Sequence, residues 1–279
     1  MKRFLLTFCI LIFSLTRFYS QEYRTLEDKT GLSGISATNG IENPVTVSII
    51  YDNYVSQSGL TSDWGFSVLI SGLNKTVLFD TGTNPDIFVS NFKKMNLDPG
   101  AVDYLVLSHE HGDHTGGIPG FVKMRSDIPV IFPHSFSDKF KKDMVNLNLE
   151  PVLVDKPAAI CDNLYTSGVF DYQIPEHSLV LNTKLGLVVI TGCSHPGIIR
   201  MLSEIKSKFG KNIYMVFGGF HLLQKSDKEM ESIIRDLKEL GVVKCGATHC
   251  TGDHQIQMIR EAYGNDFIEM GVGNTLVIN

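Results

Sequence analysis

Residues 108–117 read SHEHGDHTGG, which sets His109, His111, Asp113 and His114 within six positions of one another. Neutral imidazole and carboxylate are good ligands for zinc, iron and manganese. In an extended loop His109 and His111, two residues apart, point the same way. Asp113 and His114 are adjacent at what reads as a helix start, so they diverge and can serve a neighbouring ion. One short loop could then feed two metals. Two ions about 3.5–4 Å apart can share a hydroxide and clamp both oxygens of a displacement. Glu110, the alternate residue, should point away from His109 and His111 and is not counted as a ligand.

All nine histidines lie between positions 109 and 254. Four of them occupy equivalent places, each just after an expected strand: His109 after YLVLS, His195 after VVITGCS, His221 after YMVFGGF and His249 after VVKCGAT. Sites in α/β sheets gather at the carboxyl ends of strands, so four loops from one edge can meet in one pocket. His134 and His254 read as surface or helix-cap residues, and His177 is left open between a site and a structural role. Cys193 and Cys250 each lie close to a histidine, whereas Cys161 and Cys245 read as buried free thiols. Trp64 and Phe66, ahead of a hairpin, are candidates to line the pocket, with a core role equally open for Phe66.

The elements that must position these residues follow from apolar patterning. Strands are expected at 45–53, 65–72, 75–82, 101–108, 129–134, 178–183, 185–192, 212–219, 242–249 and 274–279, on β-branched and apolar runs. Helices are expected at 84–97, 135–147, 196–210, 226–241 and 252–264. Pro85 and Pro196 fall where proline suits a first turn, and Ser226 with Glu229 reads as a capping box. Residues 148–175 look irregular, with several short strands. No repeat at a solenoid period is visible. Strands interleaved with helices argue for one α/β domain over 45–279, with helices covering sheets.

The chain has 279 residues and a formal net charge of −5, so no overall basic field invites nucleic acid. A small-molecule partner is expected instead. Residues 1–20 combine a basic start (Lys2, Arg3) with an apolar run from Phe4 to Leu15, the layout of a secretory signal peptide. Cleavage is expected near Ser20–Gln21, followed by a polar lead-in over 21–44. The expected localisation is periplasmic or secreted, with no stable membrane insertion after cleavage.

HEHGDH after an apolar strand resembles the metallo-β-lactamase-fold superfamily. LFDTG at 78–82 supports this, and GFS (65–67), TGCSHPGI (191–198), GGFHL (218–222), THCTG (248–252) and GVGN (271–274) look like the subgroup named after dihydropterin–ribofuranosylaminobenzene phosphate synthase. The resemblance runs from about 45 to 279. It implies a four-layer αββα sandwich with metals at one edge, and His109, His111, Asp113, His114 and His249 as ligands. Asp80 would organise the metal loop from behind. Where hydrolases of the superfamily carry a bridging aspartate this chain has Cys193, so His195 is expected to supply the missing contact, with Cys193 behind it. Glu176 and His177 remain alternatives for completing the site.

The expected cofactors are two divalent ions, zinc first and iron or manganese as alternatives. The expected function is that of a metal-dependent hydrolase or related transferase, in which a metal-bound hydroxide attacks a small phosphorylated or ester substrate. Asp113 would orient the hydroxide, and His221 would act as general acid or substrate anchor. A di-iron redox protein and a non-catalytic metal or ligand binder of the same fold are the alternatives.

Overall fold

The computed structural model describes residues 23–27 and 40–279. The expected signal peptide lies outside the described residues, as does most of the lead-in. Among the described residues fourteen strands form two sheets: β1 (Arg24–Thr25), β2 (Val45–Tyr51), β3 (Ser67–Ser71), β4 (Thr76–Phe79), β5 (Val102–Val106), β6 (Pro129–Pro133), β7 (Glu150–Val154), β8 (Pro157–Cys161), β9 (Leu164–Ser167), β10 (Leu179–Thr183), β11 (Gly186–Thr191), β12 (Ile213–Gly219), β13 (Lys244–Thr248) and β14 (Thr275–Ile278). One sheet has eight strands in the order β1-β7-β6-β5-β4-β3-β2-β14. The other has six, in the order β13-β12-β11-β10-β9-β8. The region 148–175, expected to be irregular with several short strands, contains three of these strands. Their apolar runs are too short for periodicity alone to settle, and pairing across the sheets decides them.

Side-chain alternation builds the layers. In β4, Val77 and Phe79 enter the cluster between the sheets, while Leu78 joins the cluster under the helices. In β11, Val188 and Ile190 face inward and Leu187 and Val189 outward. Both faces of each sheet are thus covered, which is why these strands read as near-continuous apolar runs. Helices α1 (Pro85–Lys94), α2 (Gly112–Thr115), α3 (Ile118–Phe121) and α4 (Asp138–Asn146) follow strands of the larger sheet. Phe88, Phe92, Phe121 and Met144 pack onto its outer face. Helices α5 (Ile198–Phe209), α6 (Asp227–Glu239) and α7 (Asp253–Tyr263) cover the smaller sheet through Met201, Ile205, Leu237 and Ile259. The result is a four-layer αββα sandwich. No helix among the described residues is long and apolar enough to cross a membrane.

Local signals set the helix ends. The Asn84 side chain accepts from the N–H groups of Asp86 and Ile87, with Pro85 in the first turn. Ser226 and Glu229 form the reciprocal capping box. Helix α5 starts at Ile198, two residues later than the proline suggested, because Gly197 takes the cap position with φ 98°.

Strand direction places the functional edge. β2 and β4 are both antiparallel to β3 and so run the same way, and β4, β5, β6 and β7 are mutually parallel. β11, β12 and β13 are parallel in the other sheet. The carboxyl ends of β2, β4 and β5 therefore face those of β11, β12 and β13 across one edge of the sandwich.

Candidate metal centre

The loop after β5 carries His109 and His111. His109 Nε2 lies 3.1 Å from His111 Nδ1 and 3.2 Å from His195 Nε2. His195 arrives from the loop after β11, 86 residues later, so three imidazole nitrogens converge from two sheets. Helix α2 begins just after His111 and turns Asp113 and His114 to the other side. Asp113 Oδ2 is 3.7 Å from His114 Nε2 and 3.3 Å from Nε2 of His249, which comes from the end of β13. Cys193 Sγ is 3.2 Å from His114 Nε2. Asp113, His114, Cys193 and His249 form one group of donors, and His109, Cys193 and His195 another, each within 4.8 Å.

The backs of these histidines are held by fixed acceptors. Asp80, at the end of β4, accepts from the Ser108 N–H through Oδ1 and from the Ser108 hydroxyl through Oδ2. Oδ2 also takes His114 Nδ1–H, at 2.7 Å. Since Ser108 gives its proton to Asp80, its oxygen is left to accept from His109 Nδ1, 2.9 Å away. Asn53, at the end of β2, accepts from His249 Nδ1 through Oδ1 and donates through Nδ2 to the His249 carbonyl. In all three rings Nδ1 carries a proton to its acceptor, which leaves Nε2 as the nitrogen that faces inward.

Glu176 builds the loop that carries Cys193 and His195. Its buried carboxylate accepts the N–H groups of Cys193 and Ser194 at Oε1 and of His195 at Oε2, all at 2.8 Å. Asp80, Ser194, His221 and His249 all have left-handed backbone, with φ between 52° and 65°. That conformation costs of order 1 kcal/mol or more for a residue with a side chain, and such residues cluster at functional sites. Gly192 has no such room to spare, because a Cβ there would fall 2.3 Å from Ser108 Oγ.

Charge follows from burial and neighbours. Burial, aided by the surrounding imidazoles, pushes His109 and His111 down and takes His195 to about 3. These three are neutral near pH 7, as metal ligation requires. Burial works against charge on His114 too, but the Asp80 carboxylate outweighs it and lifts the imidazole to about 9. Burial would raise Asp113, yet the close approach of the His249 and His114 imidazoles holds it well below the ordinary carboxylate range.

A family model for the metallo-beta-lactamase superfamily matches residues 65–193. The 7,8-dihydropterin-6-methyl-4-(beta-D-ribofuranosyl)-aminobenzene-5'-phosphate synthase of Methanocaldococcus jannaschii is 30% identical over 285 residues, with 85% of this chain and 97% of the relative covered. The chain belongs to the metallo-β-lactamase superfamily. Among solved structures of the superfamily, Tm1679, a metal-dependent hydrolase, matches at TM-score 0.71 and 30% identity, covering 84% of this chain and 99% of its own. The metallo-beta-lactamase fold protein YhfI from Bacillus subtilis matches at TM-score 0.63 and 16% identity, covering 85% and 100%, a likeness of fold.

Superfamily membership implies divalent metal, and the residues present fit it. His249 Nε2 is buried without a hydrogen-bond partner while its ring is locked from behind. Its neighbours on that side are a carboxylate, an imidazole and a thiol, a donor set suited to zinc.

The remaining residues of interest sort clearly. Glu110 turns away and accepts from the N–H and hydroxyl of Ser137. His177 is structural, donating through Nε2 to the Leu107 carbonyl and accepting at Nδ1 from Thr166. His134 sits against the Val154 carbonyl, and exposed His254 pairs with Asp227. Phe66 is fully buried between the sheets, whereas Trp64 is 48% exposed beside His249. His221 stands with its ring 4.4 Å from that of His195, at a cavity of about 380 Å³ that Trp64, Leu223, Gln224, Lys225 and Cys250 also line. A larger cavity of about 570 Å³ lies at the opposite end of the sandwich, among Asn74, Asp162 and Lys184, away from every histidine. Sequence reasoning missed Asn53, Ser108 and the carboxylate staple of Glu176. Asn53 carried a usable signal, since Asp52-Asn53 also follows a strand directly.

Proposed function

We propose that this chain is a metal-dependent hydrolase, or a transferase using the same chemistry, acting with two divalent cations on a small phosphorylated or ester substrate. The observation that carries the reading is the convergence of two donor sets on one strand-end edge, the ring nitrogens of His109, His111 and His195 on one side and those of His114 and His249 beside Asp113 on the other. His109, His111 and His195 would hold one ion. Asp113, His114 and His249, with the Cys193 thiol, would hold the other, and a thiol among the donors favours zinc. Bound there, the ions supply Lewis acidity to a phosphoryl or acyl group and ready ionisation of water near neutral pH.

The chain's own side chains supply the rest. Asp113, ionised at neutral pH, offers Oδ2 as the acceptor for a proton of the attacking water. His221, raised by its contact with Cys250 against the opposing effect of burial, supplies a proton to the departing oxygen. The cavity of about 380 Å³ beside it is of small-molecule size. Similarity to a synthase whose name carries a ribofuranosyl phosphate, and to a hydrolase, supports the pairing of transferase with hydrolase. The reading includes export from the cytoplasm, supported by the basic and then apolar layout of residues 1–15.

Protein purified without added metal should contain zinc, approaching two ions per chain. A panel of phosphodiesters, phosphomonoesters, lactones and β-lactams should show turnover that chelation removes and His111→Ala lowers at least a hundredfold. Turnover indifferent to both would overturn the site, and iron in place of zinc would redirect the reading to redox chemistry.

A further inference from the structure

Trp64 is the one tryptophan of the 279 residues, and its position is unusual for a large apolar side chain. It is 48% exposed, so packing alone does not explain it. Its ring leans over His249, with centroids 5.2 Å apart. Its Nε1–H donates to Asp113 Oδ2 at 2.9 Å. That oxygen is the same one that approaches His249 Nε2 and His114 Nε2.

The loop that presents the indole is itself fixed. The Trp64 N–H donates to Asp63, and Thr83 donates its hydroxyl to the Trp64 carbonyl. The Gly65 N–H donates to Asn53 Oδ1, the atom that holds His249. The Phe66 N–H donates to the Asp113 carbonyl. One loop therefore grips residue 113 through both backbone and side chain, and shares its anchor with His249.

We propose that Trp64 is the positioning residue of the metal-binding carboxylate: its indole N–H fixes the rotamer of Asp113 so that the second ion meets a preset oxygen. The proposal rests on the metal-centre reading above. An indole suits the task because it donates only. It cannot ligate the ion, and it does not titrate near neutral pH. A hydrogen bond to an ionised acceptor is about twice as strong as a neutral one, which suits an otherwise mobile carboxylate. Trp64 also lines the cavity together with Leu223, so an occupant of the cavity would meet the group that aims Asp113.

Zinc affinity measured by chelator competition, in the wild type and in Trp64→Phe, tests this. The phenyl ring keeps most of the apolar surface and removes the donor. The second equivalent of zinc should bind about ten- to a hundredfold more weakly, the range found when an outer partner of a ligand is lost, while the first equivalent is unchanged. The lone indole N–H signal in a ¹⁵N–¹H spectrum of the wild type gives an independent readout. It should lie downfield of a solvent-exposed tryptophan, exchange slowly and move as the second equivalent is taken up. Equal zinc affinity in Trp64→Phe, or an indole signal that exchanges freely and does not respond to zinc, would overturn the proposal while leaving the metal centre standing. A wild-type chain that takes up no zinc would overturn both.

Discussion

At the scale of single residues, the site depends on which nitrogen of each imidazole carries its proton. Asp80, Ser108 and Asn53 settle that for His114, His109 and His249 by accepting at Nδ1. Asn53→Ala removes the acceptor behind His249 and the donor to its carbonyl. Zinc affinity at the Asp113/His114/His249 set should then fall about ten- to a hundredfold by chelator competition, whereas Asn53→Asp, which keeps an acceptor, should stay much closer to wild type. An alanine variant with unaltered affinity would show that the ring needs no such support. Cys193 permits a spectroscopic prediction, because its Sγ lies with both donor groups. Cobalt(II)-loaded protein should show an intense near-ultraviolet sulfur-to-metal band that Cys193→Ser abolishes. A weak spectrum unaffected by that substitution would leave the thiol outside the coordination sphere.

At the scale of elements, the strand-end loops are shaped by buried acceptors rather than by their own sequence. The loop after β11 is held by three N–H groups donating to Glu176, which is fully buried just ahead of the neighbouring β10. Burial raises the Glu176 pKa, and those N–H groups together with His114 work against the rise. In Glu176→Gln one carboxylate oxygen becomes an amide N–H₂ that cannot accept. At least one backbone N–H then loses its partner, and hydrogen bonds to charged acceptors are worth about 1.5–3 kcal/mol each. Urea unfolding at pH 7 should register a loss of roughly 2 kcal/mol, and zinc should bind more weakly at the His109/His111/His195 set. A variant as stable as wild type would mean that the loop carries its own conformation.

At the scale of the molecule, two sheets must stay in register for donors from both to meet. His177 acts as a bolt between them. From just ahead of β10 in one sheet, its N–H donates to the Ser108 carbonyl and its Nε2–H to the Leu107 carbonyl, both after β5 of the other. Burial holds its imidazole neutral, with a pKa lowered to about 4. The unfolded chain takes up that proton near pH 6.5, so between about 6.5 and 4 the unfolded state binds more protons than the folded one. The contribution is intact above pH 6.5 and is lost as pH falls through the folded value, an effect of roughly 3 kcal/mol. Urea midpoints should therefore decline from pH 7 to pH 4, more shallowly in His177→Gln, which should be less stable at pH 7. A His177 NMR titration centred near 6.5 would contradict this account.

The sequence by itself determined the apolar runs of most strands, the helix caps and the HEHGDH loop, because strand alternation, capping and short spacing are local properties. It also determined that several histidines follow strands directly, and strand direction then carries His109, His195, His221 and His249 to one edge. What it left open was which of Glu176, His177, Cys193 and His195 reaches the donor sets. Only the tertiary structure decided that. Glu176 and His177 are chain neighbours that diverge, one stapling a loop and the other bolting the sheets, because strand geometry sends adjacent side chains to opposite faces. Likewise Asn53 meets His249 across 196 positions, and Trp64 meets Asp113 across 49. No local pattern encodes such contacts, because they exist only once sheet order and pairing register have brought the strand ends together.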